Sequence, residues 1–300
     1  MALIMALSFM YYLNLPITTS KVQYIPSGSV TKIITYLQDN KVNVNRLDAY
    51  LIRFIGMPQQ GWINIGATEL TRADYLYKLT TAKAAMRDVT LIPGETTIIF
   101  LHQVSQSLEL DFKKLYKLFK RYSPTKEGAF VPNTYKLPLG ITEEMFIKIL
   151  LKRSTQTMQA YSHKIFGTYN PKKWYYYVRM ASVIQKEAAS LKDMPMISSV
   201  IHNRLRKGMK LQMDGALNYG KYSHVKITAS RIRDDKSSYN TYKHKGVPKD
   251  AVCNVSLDAL RAAIKPASSD FLYFVKTSKG KHTYSRYYST HLRNIKGATK

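Results

Sequence analysis

Glu187 is the only glutamate from Met145 to Lys300, and it lies in a stretch whose apolar residues recur at helical spacing. Four apolar residues occupy its neighbouring helical positions: Met180, Val183, Ile184 and Leu191. Residues separated by three, four or seven positions share one face of a helix, and an apolar face packs inward. The stretch from Tyr177 to Leu191 is therefore predicted to be a helix that directs the Glu187 carboxylate toward its packed side.

Glu187 lacks the basic neighbour that a surface glutamate on a helix usually has three or four positions away. Those four positions hold Val183, Ile184, Ser190 and Leu191, and Lys186 is predicted to point away. Burial without a cation favours the protonated carboxyl group, which a general acid needs near neutral pH. The helical pattern alone is equally consistent with a buried glutamate that backbone or hydroxyl groups satisfy.

The charge balance restricts the partners of this chain. Its 46 Lys and Arg residues exceed its 19 Asp and Glu residues, which gives a net charge of +27. Such a surface attracts anionic polymers or surfaces, and nucleic acid, anionic lipid and carboxylate-bearing cell-wall glycan all remain open. Cys253 is the only cysteine, and the seven histidines lack a metal-binding spacing such as HExxH. We therefore predict no metal and no cofactor.

The first third of the chain predicts a small βα unit. Two β-rich runs each lead through a Pro/Gly turn into a predicted helix, at residues 30–37 and 97–108. A further strand is predicted at 62–65 and a further helix at 71–79, with Thr71 as its N-cap. Because these units resemble peptidoglycan-binding LysM-type modules, we assign residues 21–90 to a LysM-like subdomain.

The N-terminus is apolar from Ala2 to Leu15 except at two polar residues. This length is below the roughly 20 residues that span a bilayer, and the segment lacks a signal-peptide pattern. A buried helix remains open. We favour residues 1–16 as a truncated membrane anchor.

The rest of the chain mixes predicted helices, loops and one hairpin. Helices are expected at 110–165 with two breaks, at 195–206 with a closing Gly208, and at 257–264, and strands at 271–275 and 282–285. Residues 211–254, rich in Tyr, Gly, Asp and Ser, are expected to form loops that carry site residues.

Five elements in this region follow a recognisable order. They are Glu127–Tyr135, similar to EGxLxPDTY; Ala181–Glu187, similar to ASIVEKE; Asn203–Asp214, similar to NRL..GM.LQTD; Tyr239–Pro248, similar to YNTY...GLP; and Pro266–His291, similar to PA.SDYLYFV...H.F......H. Together they resemble the endolytic murein transglycosylases of the MltG (YceG-like) family. The resemblance implies that residues 91–300 form a YceG-like catalytic domain, so the expected fold class is α/β (α+β).

The resemblance implies cleavage of the β-1,4 bond between N-acetylmuramic acid and N-acetylglucosamine, leaving a 1,6-anhydro-muramyl end. It assigns the catalytic role to Glu187. Hydrolytic glycosidases need two carboxylates, whereas a lytic enzyme needs one, because the muramyl C6 hydroxyl is the nucleophile. With only distant Asp companions expected, Glu187 fits cyclisation better than hydrolysis.

Supporting residues follow from the matched elements. We expect Gln212, Asp214, Tyr239, Asn240, Tyr242 and His282 to bind substrate. Glu127 and His291 are expected to be structural, and Gln185 stands where the family has glutamate.

The resemblance also implies partners and a location. The expected partners are peptidoglycan glycan strands, peptidoglycan synthases such as penicillin-binding proteins, and the inner membrane, with the catalytic domain in the periplasm and no nucleic acid. Two alternatives remain open. Three departures from the family pattern, Asn133, Gln185 and Gly215, motivate a catalytically weak, membrane-tethered module that binds peptidoglycan or a synthase, and net charge alone motivates a nucleic-acid binder.

Overall fold

The computed structural model describes residues 1–278 and 280–298 as a mixed α/β protein. These residues form twelve α-helices and four two-stranded sheets, and about 51% of the chain is helical. The predicted α/β (α+β) class is therefore confirmed. The chain divides into two compact units: unit 1 comprises Met1–Asp88 and Lys136–Ile141, and unit 2 comprises Val89–Tyr135 and the residues from Thr142 onward.

Unit 1 combines short helices with two antiparallel strand pairs, β1 with β4 and β2 with β3. Its elements are α1 (Ala2–Asn14), β1 (Pro16–Thr18), β2 (Val22–Ile25), α2 (Val30–Asp39), α3 (Arg46–Ile55), β3 (Gly61–Asn64), β4 (Glu69–Thr71) and α4 (Arg72–Thr81). The predicted helices at 30–37 and 71–79 correspond to α2 and α4. The Thr71 hydroxyl caps α4 by accepting a hydrogen bond from the Asp74 N–H at 3.1 Å. The LysM-like assignment stays a prediction.

The core of unit 1 follows from helical spacing. Apolar residues three and four positions apart make one face of α2 buried, and similar faces of α3 and α4 meet it. A fully buried ion pair lies beside this core, with Arg72 Nη1 at 2.5 Å from Asp48 Oδ2. Tyr12, in α1, donates a hydrogen bond to Asp48 Oδ1 at 2.8 Å, and this contact joins α1 to the rest of the unit.

The expectation of a single-pass inner-membrane protein with a periplasmic catalytic domain is wrong. α1 has 13 residues, and none of them is buried. Among residues 1–278 and 280–298, no helix is both long enough and apolar enough to cross a bilayer. Helix α1 is too short.

Unit 2 holds the longer helices. Strands β5 (Met86–Leu91) and β6 (Asn133–Pro138) pair with each other, and the division between the units falls within both strands. The remaining elements of unit 2 are α5 (Thr97–Leu108), α6 (Phe112–Tyr122), α7 (Glu143–Phe166), α8 (Pro171–Glu187), α9 (Met194–Arg206), α10 (Ala229–Asp234), α11 (Leu257–Ile264), β7 (Tyr273–Lys276), β8 (His282–Ser285) and α12 (Tyr288–Ala298). The predicted helices at 195–206 and 257–264 correspond to α9 and α11, and the predicted hairpin is β7–β8. The expectation of helix from 110 to 165 missed β6.

Helix α8 passes through the core of unit 2. Its apolar residues are buried against α9 and α11, among them Met180, Val183 and Ile184, each 0% exposed. The helix ends at Glu187, because Ala188 has the extended backbone angles φ −67° and ψ 131°. Leu191 therefore lies beyond the helix and is exposed, contrary to the sequence prediction. Glu187 is placed at the last helical residue, where α8 meets the loops of unit 2.

Candidate active-site cleft

A cleft of about 650 Å³ opens in unit 2 at the C-terminal end of α8. It brings together five residues predicted from the sequence: Glu187, Gln212, Asp214, Tyr242 and His282. Four sequence segments supply these side chains: the end of α8, the segment after α9, the Tyr242 loop and the β7–β8 hairpin. The cleft volume lies in the range of ligand-binding pockets.

Burial raises the pKa of Glu187 to about 7. A hydrogen bond from the Gly215 N–H to Glu187 Oε1, at 2.7 Å, lowers the pKa in part, and the nearby charge of Asp214 raises it. In residues 1–278 and 280–298, no ion pair involves Glu187. A carboxyl group in this state can give and take a proton near neutral pH.

Gly215 approaches Glu187 so closely that a larger residue would collide. A Cβ atom at Gly215 would lie 3.0 Å from Glu187 Oε1 and 2.9 Å from Lys186 Cβ. Gly215 belongs to a 3₁₀ turn over Asp214–Leu217, which carries Asp214 into the same cleft. The absence of a side chain at Gly215 therefore allows the backbone to reach the carboxylate.

Two expectations about neighbouring charges need correction. Lys186 lines the cleft, although its ammonium group donates a hydrogen bond to Ser223 Oγ at 2.9 Å. Asp214 is not a distant companion, because its charge acts on Glu187. Helical spacing predicts the faces of α8 but not where the following loop folds back, and this loop brings Asp214 close.

Asp214 and Tyr242 form a pair on the wall of the cleft. The Tyr242 hydroxyl donates a hydrogen bond to Asp214 Oδ1. Burial and this bond raise the pKa of Tyr242 above its ordinary value, so the phenol stays protonated. The pair presents an aromatic ring, a hydroxyl and a carboxylate, which are suited to a pyranose ring and its hydroxyl groups.

Gln212 is held beside this pair by Arg204. The Arg204 guanidinium donates to Gln212 Oε1 at 3.2 Å and to the Leu211 carbonyl at 2.7 Å. The Gln212 backbone has a φ of 50°, and its N–H donates to the Thr241 carbonyl at 3.2 Å. Arg204 itself lines the cleft, a position that the sequence argument did not assign to it.

His282 reaches the cleft from β8 and contacts Asp193. Its Nδ1 hydrogen-bonds Asp193 Oδ2, and the Tyr284 hydroxyl donates to Asp193 Oδ1. Asp193 was missed in the sequence, because an Asp just before a helix reads as an N-cap. Here its side chain instead accepts the Ala189 N–H at 3.2 Å, and α9 has no side-chain cap from it.

The structure does not bring Tyr239 and Asn240 into the cleft, which corrects the expectation that they line it. Asn240 is fully buried, and its amide donates to the carbonyls of Ile232 at 2.7 Å and Asp235 at 2.8 Å. The Tyr239 ring stacks on Tyr219 with centroids 4.1 Å apart. Both residues therefore hold the loop that carries Tyr242.

Glu127 caps a helix, as its expected structural role implied. Its carboxylate accepts hydrogen bonds from the backbone N–H groups of Thr97, at the start of α5, and of Gly128, each within 3.1 Å. Burial raises the pKa of Glu127 to about 7 despite these bonds. Gln185 accepts from the Ser256 hydroxyl at 2.8 Å and lies outside the cleft.

His291 lines the cleft, where its ring stacks on Tyr273 with centroids 5.1 Å apart. Burial and the charge of Arg204 lower the pKa of His291, which favours the neutral ring. Among the residues that the structure describes, no group of three or more His, Cys, Asp or Glu side chains could hold a metal ion.

The sequence of this chain is similar to a protein family and to several named proteins. A model of the YceG-like family matches residues 23–297. A protein from Bacillus subtilis named endolytic murein transglycosylase is 30% identical over 166 residues, which cover 55% of this chain and 46% of that protein. A protein of the same name from Streptococcus pneumoniae is 32% identical over 178 residues, which cover 56% of this chain and 31% of that protein.

A crystal structure of a yceG-like protein from Listeria monocytogenes has the same fold, with a TM-score of 0.60 and 25% identity. The match covers 92% of this chain and 99% of that chain. The matched region spans less than half the length of the two named relatives.

Proposed function

The chain belongs to the YceG-like family, and from this membership we propose that it is an endolytic lytic transglycosylase of peptidoglycan. It cleaves the β-1,4 bond between N-acetylmuramic acid and N-acetylglucosamine within glycan strands, and it leaves 1,6-anhydro-muramyl ends. The names of the two relatives support the reaction class.

One observation carries this proposal: the Glu187 carboxyl lies in a cleft with a pKa raised to about 7 by burial. Glu187 Oε1 accepts the Gly215 N–H. Among the described residues this is the only hydrogen bond that the Glu187 carboxylate receives, so Oε2 remains available to a substrate. A half-protonated carboxyl near neutral pH serves equally well as an acid and, once ionised, as a base.

The reaction needs one carboxyl group because its proton is returned. Glu187 donates its proton to the glycosidic oxygen as the bond from that oxygen to muramyl C1 breaks. The C6 hydroxyl oxygen of the same sugar then bonds to C1, and the hydroxyl proton passes to the Glu187 carboxylate. The products are a new N-acetylglucosamine hydroxyl and a 1,6-anhydro ring, with no water consumed. Two-carboxylate hydrolysis would add water instead.

Asp214 is the second carboxylate in the cleft, so its role separates these two outcomes. The hydrogen bond from Tyr242 occupies Asp214 Oδ1. We assign Asp214 to substrate binding together with Tyr242, Gln212 and His282. In this arrangement Asp214 raises the pKa of Glu187 and contacts sugar hydroxyls, but it does not bond to C1.

Unit 1 is proposed to be the LysM-like module and to supply a second glycan contact. Within it a cavity of about 360 Å³ is lined by Tyr24, Tyr36 and Trp62 with hydroxyl and amide groups nearby. The rings of Tyr24 and Trp62 are partly exposed, with centroids 5.6 Å apart. Exposed aromatic rings with polar groups at their edges suit a sugar ring.

Peptidoglycan synthases, including penicillin-binding proteins, are the proposed protein partners. This part of the proposal rests on the family resemblance. The net charge of +27 supports contact with the anionic glycan through carboxylates of its stem peptides, which salt would weaken. Co-purification of tagged protein with synthases from cells of the source organism tests it, and recovery of no synthase would contradict it.

The decisive experiment compares the wild type with Glu187→Gln on purified glycan strands. Mass spectrometry should detect anhydro-muropeptides from the wild type and none from the variant, while both proteins keep glycan affinity. Glu69→Gln is the matched control, because Glu69 is an exposed residue of unit 1 and the chemical change is the same. It should leave product release unchanged.

Three outcomes would contradict the proposal in different ways. Equal product release from the wild type and Glu187→Gln would remove Glu187 from the chemistry. Reducing ends in place of anhydro ends would indicate hydrolysis with Asp214 as the second carboxylate. Glycan binding without any cleavage by the wild type would instead favour the binding-module alternative.

A further inference from the structure

Asp193 joins three parts of the cleft wall. It lies in the segment between α8 and α9, six residues after Glu187. Its carboxylate accepts the Ala189 N–H at 3.2 Å, contacts His282 Nδ1 and accepts the Tyr284 hydroxyl. Through these bonds Asp193 ties the segment that follows the catalytic helix to strand β8.

The Asp193 contact determines which nitrogen of His282 carries a proton. Burial raises the pKa of Asp193, but the hydrogen bonds from Tyr284 and His282 outweigh it and hold the pKa below its ordinary value. An ionised carboxylate is an acceptor only, so His282 must donate through Nδ1–H. The lone pair of a neutral His282 is then on Nε2.

The His282 ring is also fixed in place. Its side chain is only 4% exposed, and the Phe274 ring packs against it edge to face with centroids 5.1 Å apart. His282 lines the cleft. Among residues 1–278 and 280–298, the one hydrogen bond of its ring is made by Nδ1, to Asp193. In the neutral ring Nε2 is therefore an acceptor without a hydrogen-bond partner among the described residues, and the ring is held in place at the cleft wall.

We propose that His282 Nε2 accepts a hydrogen bond from a hydroxyl or acetamido N–H of the glycan, and that Asp193 is the positioning residue that holds Nε2 toward the cleft. This inference rests on the proposed function, because the ligand is the glycan strand. It assigns Asp193 an effect on substrate through His282, without contact between Asp193 and the substrate.

Two amide substitutions separate the two nitrogens of His282. The amide of Asn reaches about as far as Nδ1, so His282→Asn can keep the bond to Asp193 but places nothing at the position of Nε2. The amide of Gln reaches about as far as Nε2, so His282→Gln restores an acceptor there. Glycan affinity is measured by calorimetry with soluble uncross-linked glycan strands, in a Glu187→Gln background that prevents turnover.

His282→Asn should weaken glycan binding roughly three- to tenfold, the effect of one lost hydrogen bond, and His282→Gln should stay within about twofold of the parent. Asp193→Ala should weaken binding as His282→Asn does, with thermal unfolding as a check that it folds. If Asp193→Ala fails to fold, the two histidine variants still decide. A larger loss in His282→Gln than in His282→Asn, or equal affinities in all proteins, overturns the inference.

Failure of the proposed function is distinguishable from failure of this inference. If the proposed function fails, the wild type releases no anhydro product or the Glu187→Gln protein releases as much as the wild type, yet the affinities of the His282 variants still separate as described. If the wild type is active and those affinities do not separate, the proposed function stands and His282 only supports the fold.

Discussion

Replacing Glu187 with Gln should stabilise the folded protein above neutral pH and leave it nearly unchanged in acid. Burial raises the pKa of Glu187 from 4.5 to about 7. A folded-state pKa above the unfolded value means that the contribution of this group to stability is complete below 4.5 and is lost as the pH rises through 7. The shift corresponds to about 3 kcal/mol of unfolding free energy at alkaline pH.

Glutamine isolates this ionisation because its amide oxygen can still accept the Gly215 N–H. Urea unfolding of both proteins, repeated at intervals from about pH 4 to about pH 9, gives the difference in unfolding free energy. The fluorescence of buried Trp174 reports on unit 2, and a Trp62→Phe background removes the signal of unit 1. The difference should rise from near zero to about 3 kcal/mol.

Glu127 titrates in the same pH range, but both proteins contain it, so its contribution cancels. Glu109→Gln, an exposed substitution of the same kind in unit 2, measures the effect of the amide itself. A flat difference for Glu187→Gln would mean that the Glu187 carboxyl titrates near its ordinary value. The acid–base argument for its catalytic role would then lose its physical basis.

Three further substitutions test the surroundings of Glu187 and Glu127. Gly215→Ala should force the backbone N–H away from the carboxylate, raise the pKa of Glu187 and shift the alkaline limb of the pH–activity profile upward, whereas Gly297→Ala, with open space around it, should not. Asp214→Asn should shift the same limb downward while anhydro ends remain the product, and an upward shift would contradict the assigned electrostatics. Glu127→Gln should cost about 1–3 kcal/mol of unfolding free energy, because one amide oxygen cannot replace two carboxylate acceptors. Loss of activity from Glu127→Gln without loss of stability would place Glu127 in the chemistry.

The parts of the fold that the sequence predicted are those with strong local signals. The buried face of α8 repeats at helical spacing, and the structure buries Met180, Val183 and Ile184 as that spacing requires. α11 has a Ser256 N-cap before it and Pro266 after it, so neighbouring residues determine where the helix begins and ends. Such signals depend on a few adjacent positions and need no knowledge of the rest of the chain.

The predictions that were wrong depended on distant contacts. Asn240 lies in a polar loop, which suggests a ligand-binding amide, but its amide donates to the carbonyls of Ile232 in α10 and of Asp235 just after that helix. The sequence predicts helix where β6 forms, because the strand character of β6 depends on pairing with β5, more than 40 residues earlier. Asp214 reached the cleft because a loop folds back onto α8, which no local pattern records.

Glu127 is buried and Glu187 is half-buried, and desolvation raises the pKa of each to about 7, so the pKa alone cannot identify the acid. Their hydrogen bonds differ. The carboxylate of Glu127 receives bonds on both oxygens from groups at the start of α5, so neither oxygen can reach a substrate without breaking a helix cap. Among the residues that the structure describes, the carboxylate of Glu187 receives one hydrogen bond, from the Gly215 N–H to Oε1. Its proton can therefore move to a ligand without disturbing the fold, and a cleft is present to hold that ligand.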